Sequence, residues 1–123
     1  MTGLHLDLAN DRRAFKPRES VEGRVSWNVN GATSAELRLF WYTRGKGTED
    51  VGLVETVAFP NPQATDQRTF RFALPEAPYS FSGKLVSIIW AVELIVEPGP
   101  SVERREFVMS PSGREVVAAH ESA

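Results

Sequence analysis

The chain predicts an all-β fold, two antiparallel sheets packed face to face as a sandwich. Three observations carry this. Apolar residues recur with period two in segment after segment, turn-forming dipeptides separate the segments, and no long stretch keeps a helical period between the breakers. The 123 residues suit one domain with room for a real core.

The segments follow in order. Leu4, Leu6 and Leu8 alternate with His5 and Asp7. Val21, Gly23, Val25, Trp27 and Val29 alternate with Glu22, Arg24, Ser26 and Asn28. Ala35, Leu37, Leu39 and Trp41 alternate with Glu36, Arg38, Phe40 and Tyr42. VGLVETVAF, Val51 to Phe59, is less regular and reads as a strand with a bulge or with burial on both faces. Phe70, Phe72 and Leu74 alternate with Thr69, Arg71 and Ala73, and SVERREFVM, Ser101 to Met109, makes a last, weakly alternating strand.

KLVSIIWAVELIVE is the longest apolar run. Its residues Val86, Ile88, Trp90, Val92, Leu94 and Val96 form one unbroken face, whereas Leu85, Ser87, Ile89, Ala91, Glu93, Ile95 and Glu97 form a mixed one. Period two with Val, Ile and Trp dominant is a strand signature. Ser87 and Glu93 interrupt the run, which is well short of the roughly 20 residues of a spanning helix, so no membrane insertion is expected.

Turn chemistry lies between the segments. Asn30-Gly31 is a tight-turn dipeptide, RGKGTED (Arg44 to Asp50) a hairpin tip, PNPQATDQ (Pro60 to Gln67) a connection and EPGP (Glu97 to Pro100) a turn. In LPEAPYSFSG, Pro75 and Pro78 cannot continue a ladder, so the strand ending at Leu74 must stop, and Ser80, Ser82 and Gly83 let the chain cross to the other sheet. The domain is expected over residues 1–109. Residues 110–123 read as a small, polar, flexible tail with a brief VVAA patch.

Composition excludes several classes. A formal net charge of -2 with dispersed basic residues gives no reason to expect nucleic acid or an anionic membrane as partner. The absence of cysteine removes disulfides, thiolate metal sites and a thiol nucleophile. The start MTGLHLDLANDRR lacks the form of a secretory signal, and a cytoplasmic protein is the simplest expectation.

Chemistry finds little support. The two histidines, His5 and His120, lie on the polar side of a terminal strand and in the tail, with no spacing that unites them with other ligands. Asp7, Asn10 and Asp11, or Glu49 and Asp50, could rim a Ca²⁺ site, but the ordered oxygen spacing is absent and solvated loop charge is favoured. No catalytic residue, cofactor or metal is therefore expected. Trp27, Trp41 and Trp90 sit on inward faces and read as core. The candidate contact residues are Arg38, Phe40 and Tyr42, which point outward if Leu37, Leu39 and Trp41 point in, with Ile89 on the outward side of the long strand. Loops or the tail covering these rings is the equal alternative.

Two stretches carry a family resemblance. FKPRESVEGRVSWNV, through Phe15, Pro17, Glu19, Val21, Gly23 and Val25, resembles the arrestin-family pattern aromatic-x-Pro-Gly-Glu-x-Val-x-Gly-x-Val. FALPEAPYSFSGKLVSIIWAVELIV resembles the family's strand, proline-containing turn and following long strand. Their order and separation fit a single arrestin-like domain, which implies a two-sheet antiparallel immunoglobulin-like sandwich related in fold to sporulation-control proteins and retromer subunits. Arg18 stands where the family usually has Gly, so the turn there must differ, or be strained if it needs φ > 0. Trp90 stands where Tyr is common. A chain with room for one domain cannot inherit the two-domain polar core, hinge or receptor cleft.

The resemblance implies a non-enzymatic adaptor or scaffold that binds other proteins. Either an edge strand or the outer face around Arg38, Phe40 and Tyr42 would make the contact, and a homodimer is possible. The alternative is a small-ligand or carbohydrate-binding sandwich.

Overall fold

A computed structural model describes residues 3–45, 47, 49–112 and 116–117. Ten strands, and no α-helix, occur among them: β1 (Gly3–Leu8), β2 (Ala14–Phe15), β3 (Ser20–Asn28), β4 (Ser34–Gly45), β5 (Val51–Ala58), β6 (Thr65–Ala73), β7 (Phe81–Ser82), β8 (Val86–Glu97), β9 (Ser101–Met109) and β10 (Val116–Val117). They form a three-stranded sheet, β1-β3-β6, and a larger sheet running β10-β7-β8-β4-β5, to which β9 adds beside β8 and β2 beside β9. Each long strand coincides with one of the alternating segments. The two-residue strands β2, β7 and β10 are too short to show alternation.

One core lies between the sheets. Leu6, Val21, Val25, Trp27 and Phe72 from the small sheet meet Leu37, Leu39, Trp90, Val92, Leu94 and Val96 from the large one, all essentially closed to solvent. Fully burying a Val, Leu or Phe side chain stabilises by roughly 1.5–3 kcal/mol, which is why the register follows the apolar row and not its neighbour. Of the three tryptophans, Trp27 and Trp90 are buried in this core, while Trp41 is half-buried and packs at its margin with its ring over Gly52. Each buried indole finds a backbone partner: Trp27 Nε1 donates to the Gln63 carbonyl at 2.7 Å and Trp90 Nε1 to that of Pro78 at 2.8 Å.

The connections do what their residues suggest. The segment after Leu74 carries the chain from β6 in the small sheet to β7 and β8 in the large one. Buried Ser80 anchors it, its N–H donating to the Met109 carbonyl and its hydroxyl accepting from the Met109 N–H. Asn30-Gly31 does form a turn, closed by Ala32 N–H to the Val29 carbonyl with Gly31 at φ 72°, but it links β3 to β4 across the two sheets and not within a hairpin. The β4–β5 and β8–β9 pairs are hairpins, with the RGKGTED and EPGP turns at their tips. Arg18 adopts φ 72°, the left-handed conformation that Gly holds without cost. It forms an ion pair with Glu76.

β5 differs from one of its two expectations. The bulge exists, as a register shift opposite Leu39 and Phe40 that leaves Val54 without a direct partner. Burial on both faces does not. Val51, Leu53 and Val54 are all exposed, and no strand among the described residues pairs with the far side of β5. At the other end of the chain, Val116–Val117 lie parallel to β7. The rest of the expected flexible tail from 113 onward, with His120, and Lys46 and Thr48 of the hairpin tip lie outside the described residues.

Candidate protein-contact surface

The outer face of the large sheet is built by cross-strand register. On β4 the outward row is Glu36, Arg38, Phe40, Tyr42 and Arg44. β8 sets Glu93 opposite Arg38, Ala91 opposite Phe40 and Ile89 opposite Tyr42. β9 then sets Arg104 opposite Glu93 and Glu106 opposite Ala91. The structure thus brings Arg38, Phe40, Tyr42 and Ile89 onto one face.

That face is roofed. Arg104 bonds Glu93 through Nε at 2.9 Å and Nη2 at 2.8 Å, and its guanidinium carbon lies 5.1 Å from both the Phe40 and Tyr42 ring centroids. Ala91 leaves space beneath it, and Phe40 is only 7% exposed. The Tyr42 hydroxyl donates to Glu106 and accepts from Arg44 Nη2 at 2.8 Å, while Arg44 Nη2 reaches Glu106 at 3.2 Å. Burial, followed by the Glu106 carboxylate, pushes the Tyr42 phenol above its ordinary range. Arg38 is half-buried and pairs with Glu36 at 2.6 Å, and Ile89 is half-buried. Phe40 therefore does not present an open ring. A cation from β9 covers it.

The open surface lies one strand over. β5 is the outermost strand of its sheet, with Val51 68%, Leu53 58% and Val54 39% exposed. Phe59 N–H donates to the Ala35 carbonyl and Thr43 N–H to the Asp50 carbonyl, both at 2.9 Å. By the alternation of an antiparallel ladder, Val57, Glu55 and Gly52 are then the residues bonded to β4. The backbone groups of Val51, Leu53, Thr56 and Ala58 point to the unpaired side.

Two other edges, those of β9 and β6, are guarded by charge. The outer side of β9 carries Glu103, Arg104, Arg105 and Glu106, with β2 covering its end at Val108 and Met109. β6 carries Asp66, Arg68 and Arg71. Charged side chains are a usual protection of a sheet edge, and VGLVETVA has a single one, Glu55. No property of the alternation identifies β5 as an edge, though its lack of guarding charge is legible in the sequence.

The remaining sequence candidates are scattered. His5 is exposed opposite Ser26. Asn10 and Asp11, both at positive φ, lie in a 3-10 turn after β1, while Glu49 and Asp50 precede β5. Among the described residues no group of three or more His, Cys, Asp or Glu is placed to hold a metal ion. Among them also, no helix is long and apolar enough to cross a membrane.

No family model and no curated protein matches the chain. Among solved structures it is similar to a superoxide reductase (neelaredoxin) from Ignicoccus hospitalis, at 18% identity and TM-score 0.49 over 89% of this chain and 82% of that one. It is also similar to a β-glucosidase from Listeria innocua solved with gluconolactone, at 16% identity and TM-score 0.43 over 94% of this chain and 16% of that one. Both likenesses are too loose to bear on fold or chemistry.

Proposed function

We propose that the chain is a cytoplasmic, non-enzymatic protein-interaction domain of the arrestin-like, immunoglobulin-type sandwich kind, and that it holds its partner by strand addition at β5. The observation that carries this reading is the β5 edge, where unpaired backbone groups and exposed Val51, Leu53 and Val54 coincide on one strand. Strand addition takes its affinity from main-chain hydrogen bonds and its specificity from alternate side chains, and such an edge offers both. The outer-face patch is the weaker contact because Arg104 already occupies the ring faces. A sugar platform would need flat, open aromatic rings, and Tyr79, at 41%, is the aromatic among the exposed large apolar side chains.

The test compares two double variants with wild type in quantitative capture from source-organism lysate. Val51→Lys with Leu53→Lys guards the edge, and Phe40→Ala with Tyr42→Ala strips the outer face. A partner lost by the first and kept by the second supports the reading. Loss only with the second moves the contact to the outer face, and no partner with any form overturns the adaptor assignment.

A further inference from the structure

The ten residues Glu49 to Ala58, EDVGLVETVA, hold three carboxylates and no cation. Glu49, Asp50 and Glu55 are all exposed. The cations on the neighbouring strand do not neutralise them: Arg38, beside Thr56, is held by Glu36, and Arg44 is held by Glu106. Arg68, which stacks on Phe59 at the end of the same rim, is bonded to Asp66. The open edge is therefore an apolar strip, Val51, Leu53 and Val54, with carboxylates at its start and middle that form no ion pair with Arg38, Arg44 or Arg68.

Resting on the strand-addition reading above, we propose that the occupant of β5 is an extended protein segment of alternating apolar residues carrying Lys or Arg. Apolar residues of the incoming strand lie over Val51 and Leu53 on the outer face, and its cations lie near Glu49, Asp50 and Glu55. A second copy of the chain fits less well, because a β5–β5 junction brings the same three carboxylates twice and supplies no cation from this strip. The charge acts on selection among extended segments, and the backbone ladder supplies the common affinity.

The experiment uses the full chain, isotope-labelled, and three synthetic peptides sharing one Val/Thr alternating centre with Lys, Ser or Asp at the flanks. The Lys-flanked peptide is expected to bind about tenfold more tightly than the Asp-flanked one, the yield of two or three exposed ion pairs, and the difference fades with added salt. Its binding protects the amides of Val51, Leu53, Thr56 and Ala58 from hydrogen exchange. Glu49→Lys with Asp50→Lys reverses the preference.

Equal affinity for all three peptides with those amides protected would overturn the charge selection while leaving the β5 adaptor reading intact. Protection elsewhere, or no binding of any peptide, would overturn the inference, and the adaptor reading then rests on the capture experiment alone. A dimer in light scattering that the Val51→Lys, Leu53→Lys variant abolishes would replace the peptide with a second copy.

Discussion

Gly23→Ala separates local propensity from packing, because the two predict opposite signs. Glycine inside a strand is destabilising by roughly 0.5–1 kcal/mol relative to alanine, so propensity alone says the substitution stabilises. Position 23 of β3 pairs with Leu8 of β1 and Phe70 of β6. A Cβ built there falls deep inside van der Waals contact with the Asp7 carbonyl oxygen and 3.0 Å from Phe70 Cζ. A backbone oxygen cannot escape by changing rotamer, so β1 must withdraw by about 1 Å or more. Overpacking costs about 1–3 kcal/mol, and opening the end of the β1–β3 ladder costs about 1 kcal/mol more for a lost hydrogen bond.

Less the propensity gain, the expected net loss is about 2 kcal/mol. At roughly 4 °C per kcal/mol for a chain of this size, Tm falls by about 8 °C. Thermal and urea unfolding followed by tryptophan fluorescence measure it, with Gly3→Ala, whose Cβ meets nothing within 4 Å, as the near-neutral control. An alanine variant as stable as wild type would show that β1 and β3 do not approach as described.

Two further expectations follow from backbone strain and charge. Arg18→Gly should exceed Arg18→Ala in stability by about 1 kcal/mol, since both lose the Glu76 pair and only glycine is at ease at φ 72°; equal urea midpoints would place residue 18 outside the left-handed region. Asp66 accepts hydrogen bonds from Arg68 and from the Gln63 and Gln67 N–H groups, which hold its carboxyl well below the ordinary 3.8. A depressed folded pKa means that its stabilisation is complete above the unfolded value and is lost as pH falls from there toward the folded one. Tm of wild type should therefore drop more steeply below about pH 4 than that of Asp66→Asn, and parallel curves would refute the coupling.

The long strands were legible because their side chains divide between water and core. Leu37 and Leu39, Val92 and Leu94, and Phe72 are buried where the period-two reading puts them. Strand order was not legible, since alternation says which face is inside and nothing about which strand lies beside which. That is why VGLVETVA, whose bulge was legible, gave no sign that among the described residues it ends its sheet. The cover on Phe40 escaped for a related reason: Arg104 stands far along the chain on β9, and only β8 between them brings its guanidinium over the ring. Arg18 was the opposite case, a single residue whose backbone conformation followed from what usually stands in its place.

The small sheet contains no hairpin. Gly3 reaches Asn28, and Ser20 reaches Ala73, so every pairing in it must close a long loop before any contact compensates. Topologies of this kind fold slowly. Throughout that interval the apolar residues of the β5 strip are available to neighbouring nascent chains. An edge open to strand addition is thus also open to aggregation during synthesis, and whatever covers it early would protect the chain as a chaperone does.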